Sequence, residues 1–172
     1  DGQQVDTAFL GFTVSPHEEC AVEAAVQLVE QHGGEVTVLT LGPAEAEEQL
    51  RTAVSVGAAK AVLVPIEGQD WDPQRTASAI ASVVKDLESA NGSFDLILFG
   101  NESADSCGYQ VGVRAALKLA RPMVNGAKGI EIDGTSAKIR RESDAGQDIY
   151  VLPMPAAVGV KEGINLPRYP TM

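Results

Sequence analysis

The chain has 172 residues, 44% of them hydrophobic, with 24 acidic against 13 basic side chains and a net charge of −11. That is enough for one domain with a sizeable core, and its acidity argues against a non-specific grip on DNA, RNA or anionic lipid. Only two histidines, His17 and His32, and two distant cysteines, Cys20 and Cys107, are present, which excludes a histidine-rich metal site and points to inert thiols in a reducing, cytoplasmic setting.

The first short apolar run is Thr7–Val14, a strand by periodicity. Ser15-Pro16-His17-Glu18 then announces a helix, with Ser15 as N-cap, Pro16 at the first helical position and Glu18 closing a capping box. Ala21, Val22, Ala25, Leu28 and Val29 follow at helical spacing until Gly33-Gly34. Glu35–Leu41 reads as a buried strand, Gly42-Pro43 as the opening of a second helix, and Ala61–Pro65 as the next strand. Asp72-Pro73 starts a third helix with Ala77, Ile80, Val83, Val84 and Leu87 on one face, and Asp95–Phe99 is another strand. No apolar run approaches the ~20 residues needed to cross a bilayer, so no membrane insertion is expected. The residues given also carry no signal-peptide pattern.

The segment Gly100–Gly112 follows that last strand and leads into a helical pattern at Val113–Ala120. A strand that hands over to a helix N-terminus leaves unpaired backbone N–H groups, biased positive by the helix dipole. The same place, beyond the carboxyl end of a strand, is where ligands bind in open α/β sheets. Gly108 and Gly112 keep side chains away, and Asp105 and Gln110 supply polar groups. An ordinary βα turn with glycines serving packing fits the same spacing.

Beyond Arg121-Pro122 the pattern changes. Gly129–Ile132, a turn at Asp133-Gly134 and Ser136–Arg141 predict a β-hairpin, with further strands at Asp148–Leu152 and Ala156–Val160. The tail Asn165–Met172 is broken by two prolines. Alternating strands and helices predict βαβ units and a parallel sheet covered on both faces. The fold class is therefore α/β, a three-layer parallel-sheet nucleotide-binding fold with an added C-terminal hairpin and strand region. The whole chain reads as one domain, with a core over about 15–120, a β-rich region over about 121–163 and an arm at 165–172. No nucleophile elbow, Cys–His pair or clustered carboxylates suited to acid–base work stand out, so bond-making catalysis is not expected.

Several separated segments together resemble the β subunit of electron transfer flavoprotein. They are Ser15-Pro16 with Ala21-Val22-Glu23, Glu35–Pro43, Leu50–Ala53 leading to Gly57-Ala58, and Asp95–Gly100. Asp105 with Gln110 and Gly112, Arg141–Gly146, Pro155–Val158 and Asn165–Tyr169 continue the series in the family's order and spacing. The resemblance places Thr7–Val14 in a connection after a strand that precedes Asp1, and family members run on past Met172, so a longer parent chain is expected. It implies an electron carrier, not an enzyme: a heterodimer whose α subunit holds most of the FAD, which accepts electrons from flavin-dependent dehydrogenases. In a eukaryote that setting would be the mitochondrial matrix.

The resemblance further implies a structural AMP held by Ser15, Pro16, His17, Glu18 and Leu41. The rest of that pocket would be the turn and helix start Asp105, Ser106, Cys107, Gly108, Tyr109, Gln110, Val111, Gly112, Val113, Arg114 and Ala115. Ser15-Pro16 stands where many members have Asn-Pro, and His17 where an aromatic residue often lies beside the flavin. His17 reads equally as a solvated helix-start residue. Glu142 matches a glutamate that pairs with the mobile flavin domain; by itself it reads as a surface carboxylate beside Arg140 and Arg141. Met172 matches the apolar anchor of the partner-recognition loop, with Arg168 and Tyr169 beside it on an arm expected to project. A stand-alone adenine-nucleotide sensor and a bifurcating subunit with a second FAD in place of AMP remain the alternatives.

Overall fold

The computed structural model describes residue 11, residues 13–66 and residues 71–170. Thr7–Leu10 and Phe12 of the first expected strand lie outside them, as does Met172, and residues 13–15 are irregular. Helix α1 spans Pro16–His32, with Pro16 at its start and Ser15 in extended conformation at the N-cap. Ser15 does not cap through its side chain: its hydroxyl donates to the Glu18 carboxylate instead. The capping box expected there is thus replaced by a side-chain pair. Cys20, Ala21, Ala24 and Val26 turn into the core.

Strand β1 (Thr37–Gly42) pairs parallel with β2 (Lys60–Pro65) in a two-stranded sheet. Between them a single 3-10 turn at Ala44–Ala46 precedes α2 (Glu47–Ser55), so the helix starts later than Gly42-Pro43 suggests. In α3 (Pro73–Asn91) Asp72 caps the helix, accepting from the N–H groups of Gln74 (2.8 Å) and Arg75 (3.0 Å). Ala77, Ala81 and Val84 form its buried stripe. These small residues let α3 lie close against α4 (Gln110–Lys118).

The second sheet has the order β3-β7-β4-β5-β6, from β3 (Leu96–Gly100), β4 (Met123–Asp133), β5 (Ser136–Ser143), β6 (Gly146–Pro153) and β7 (Ala156–Val160). β7 runs parallel to both β3 and β4, whereas the β4-β5-β6 pairs are antiparallel. The expected hairpin is there, with Asp133 opposite Ser136 and Gly134 at a positive φ of 57°. Its first strand, however, begins six residues earlier, at Met123, and a register shift near Ala127 switches it from β7 to β5. All five residues of β7 are buried, and α1 packs on β3 and β7. Among the described residues, no strand of one sheet pairs with a strand of the other. The molecule is thus an α/β fold with a mixed, largely parallel arrangement of strands, and the β-rich region continues the parallel sheet.

Arg121 locks the second sheet to α3. Its guanidinium is buried, donating to the Phe94 carbonyl at 2.7 Å and to the Glu88 carboxylate. No helix among the described residues is long and apolar enough to cross a membrane.

Candidate functional site

The N-termini of α1 and α4 meet at the carboxyl end of β3. The connecting turn closes on itself: the Ser103 N–H donates to the Gly108 carbonyl (3.0 Å), and the Cys107 N–H donates to the Ser103 carbonyl (2.9 Å). Asp105 accepts from the Ser106 N–H (2.6 Å) and from the Ser103 hydroxyl. Those two donors, Ser103 first, hold the Asp105 carboxyl below the usual range. Asp105 therefore builds the turn through local bonds, as short carboxylates do in loops. Cys107 takes the left-handed backbone, with φ of 52°. That reversal delivers the chain to α4, whose first N–H groups have no helical carbonyl ahead of them.

The two glycines of the turn differ. A Cβ on Gly108 would meet only the Ser106 hydroxyl at 3.4 Å and the Ser103 hydroxyl at 4.0 Å, so the turn is open there. A Cβ on Gly112 would lie 3.0 Å from Met123 Cε and 3.1 Å from Phe99 Cγ. Gly112 is a packing glycine inside the first turn of α4, and Gly108 is the one that leaves room outside.

From α1, the Glu18 carboxylate lies over Gly100, occupying the space a Cβ there would need. Burial pushes this carboxyl up against the opposing pull of its own backbone N–H and of His17, and Asp105 adds to the rise. His17 accepts the Glu162 N–H at Nδ1 (2.9 Å), which leaves its proton on Nε2, 3.4 Å from Glu102. Its side chain is only 12% exposed, so it is a fastened residue and not the solvated one that its position suggests. The Tyr109 hydroxyl and then His17 hold the Glu102 carboxyl low, although partial burial opposes them. Ser15, His17 and Glu18 are thus brought to the turn, with Glu102 as a member that no motif marked.

The other expected residues stand in different settings. Leu41 is the penultimate residue of β1 in the other sheet, so strand pairing does not carry it to the turn. Arg114 points back along its helix to Gln110 (2.8 and 3.1 Å) and across to Gln74 (3.1 Å). Ala115 is fully buried, Val111 half-buried, and Val113 and Tyr109 exposed. Pro16 is exposed at the start of α1. Glu142 is exposed on β5 opposite Gln147, and it pairs with neither neighbouring arginine: Arg141 pairs with Asp148 at 3.0 Å, and Arg140 donates to the Lys128 carbonyl.

The arm is held close instead of projecting along its length. Arg168 bonds Glu23 through its backbone N–H (3.2 Å), Nε (2.9 Å) and Nη2 (3.1 Å), and Glu30 at 2.6 and 2.9 Å. Asn165 is exchanged with Cys20 one turn earlier on α1, its Nδ2 donating to the Cys20 carbonyl at 3.0 Å. Leu166 and Tyr169 remain 88% and 91% exposed beside this fastening. The buried Glu23 inside the apolar stripe of α1 was the available signal, since a buried carboxylate needs a cationic partner.

The electron transfer flavoprotein domain family matches residues 5–172. The chain belongs to that family. Its curated relatives include the electron transfer flavoprotein subunit beta of Bacillus subtilis, 37% identical over 161 residues, 92% of this chain and 61% of that protein. The subunit beta of Bradyrhizobium diazoefficiens is 33% identical over 175 residues (100% and 67%), and that of Syntrophomonas wolfei is 34% identical over 173 residues (100% and 66%). The chain spans about three-fifths to two-thirds of the length of these electron transfer flavoprotein relatives.

Proposed function

We propose that this chain serves as the β-type part of a heterodimeric electron transfer flavoprotein, an electron carrier and not a bond-making enzyme, working in the cytoplasm with an α subunit and flavin-dependent dehydrogenases. FAD, held mainly by the α subunit, supplies the redox chemistry when bound. AMP binds this chain in a structural role.

The observation that supports the nucleotide part most directly is the open start of α4 beyond β3, with Gly108 unobstructed. Backbone N–H groups from Gly108 to Gly112 would hold the phosphate, because a helix N-terminus favours an anion and costs no cationic side chain. The carboxylates Glu18 and Glu102 would repel a phosphate but accept from ribose hydroxyls or an adenine amino group, which orients the nucleotide with its anionic end toward α4. Ser15 would contribute by holding Glu18, and His17 by fixing Glu102. On the partner side, exposed Glu142, Tyr169 and the terminal Met172 would meet the partner, with Arg168 acting indirectly by fixing the arm. A weak exposed ion pair at Glu142, worth ~0–1 kcal/mol, suits a reversible latch.

The test is extraction of nucleotide from the full-length protein purified with its α subunit, in parent and Gly108→Val forms. One AMP per β chain in the parent and its loss in the variant, with FAD content retained, is the expected result. Unchanged AMP in the variant overturns the site. A tight equimolar yellow complex of the β chain alone overturns the division of cofactors.

A further inference from the structure

Further along α1, at Ala24–Gln31, a cleft of about 160 Å³ opens between α1, β4, β5 and the arm. Its apolar wall is Leu28, Ile130 and Ile164, and Lys128 and Arg140 bring two cations to it. Both are oriented by backbone carbonyls: Lys128 Nζ donates to the Glu162 carbonyl at 2.6 Å, and Arg140 Nη2 donates to the Lys128 carbonyl at 3.1 Å. Neither takes part in an ion pair among the described residues; Arg51, Lys60, Arg121, Lys138, Arg141 and Arg168 do, while Arg75, Lys85, Arg114, Lys118 and Lys161 also do not but none of these lines the cleft. In a chain with 24 acidic and 13 basic side chains, two convergent cations without a carboxylate are an unfilled demand.

We propose that this cleft receives one acidic side chain of the α subunit, its carboxylate between Lys128 and Arg140 and its methylene stem against the apolar wall. This rests on the heterodimer reading above. Size selects the occupant: small-molecule pockets usually run to ~300–1,000 Å³, and this cleft is well below that. A single side chain fits, with the rest of the affinity coming from the surface around it. That surface continues onto the fastened arm, where Leu166 and Tyr169 are exposed next to the cleft residues Ile164 and Asn165. Tyrosine and arginine, here Tyr169 and Arg140, are among the residues enriched at the energetic centre of an interface. The chain's net charge of −11 disfavours an acidic group placed at random on it, so the cleft also sets register. Glutamate matches better than aspartate because its longer stem spans the wall.

The experiment measures association of the full-length chain with its α subunit at about 50 mM and about 500 mM salt, where screening differs strongly. The double variant Lys128→Met/Arg140→Met is expected to weaken binding by about tenfold or more at low salt and much less at high salt. Its melting temperature alone should match the parent's, and Arg140→Lys with Lys128 intact should bind close to the parent. Equal affinity and equal salt dependence in parent and double variant overturn the proposal. Saturable binding of sodium phosphate or sodium glutarate to the parent chain below ~1 mM, lost in the double variant, also overturns it in favour of a free small anion. A parent that forms no complex with the α subunit overturns the heterodimer reading, and this inference with it.

Discussion

The turn at 102–109 and the arm at 161–170 are both irregular segments, yet they are held in opposite ways. Apart from the Glu102–His17 contact, the turn's bonds are local: Ser103, Asp105, Ser106, Cys107 and Gly108 satisfy one another within six residues. The arm's bonds are distant: His17–Glu162, Cys20–Asn165 and Glu23–Arg168 each join residues 145 positions apart. A local turn can keep its shape while its outer face stays free for a ligand. A distant fastening instead makes one side of α1 and the chain's end a single rigid surface. The two devices place a candidate nucleotide site at the N-terminus of α1 and a candidate partner surface further along the same helix, with His17 touching both segments.

The largest effect should come from breaking the arm. In Arg168→Ala the Glu23 carboxylate, 5% exposed, loses its counter-ion. Because Arg168 is itself part-exposed, the cost is set at about 2 kcal/mol, below the loss for a fully buried pair, and is read by urea unfolding. The same pair gives a pH signature. Burial alone would raise the Glu23 carboxyl, but hydrogen bonds from Arg168 and then Gln27 outweigh it and hold it below the usual range. A carboxyl lowered on folding stabilises fully above its unfolded pKa and loses that contribution as pH falls through the folded one. The parent–variant difference should therefore be largest near neutral pH and shrink on acidification. It shrinks first as the unpaired Glu23 of the variant, raised by burial, takes up its proton, and further as pH falls through the lowered pKa of the parent. A difference that grows on acidification would show that Glu23 is not the seat of the effect.

A smaller effect should separate the two glycines of the turn. Gly112→Val places atoms against Met123 and Phe99 and should cost about 1.5 kcal/mol by overpacking, toward the low end because the nearest atom is the flexible tip of Met123. Gly108→Ala should stay within about 0.5 kcal/mol of the parent. Equal unfolding midpoints for these two variants would remove the distinction between packing and open glycine.

The smallest effect tests the turn's self-sufficiency. Asp105→Ala removes an acceptor for the Ser106 N–H and the Ser103 hydroxyl and should cost about 1 kcal/mol. Hydrogen exchange should rise at Ser106 and Cys107 and stay unchanged at Asn165–Arg168. Faster exchange in the arm would mean that the two regions are not independent.

What could be read without coordinates follows from local physics. Pro16 and Asp72-Pro73 start helices because proline fits the first turn and Asp72 satisfies free N–H groups. Val/Leu/Ile runs mark strands, and Asp133-Gly134 marks a hairpin because glycine accepts the φ that the turn requires. The open end of β3 beside α4 was legible for the same reason. Tertiary structure alone decided that β7 enters between β3 and β4, since its five residues carry no information about which neighbours will cover them. It also decided that Ser15 serves Glu18 and not the helix backbone, that Gly112 packs while Gly108 stays open, and that His17 is tied to Glu162. Arg168 and Glu23 belong to the same class. Each lies in a segment whose own chemistry allows several partners, and the choice among them was made by which distant atoms the fold brought within hydrogen-bond reach.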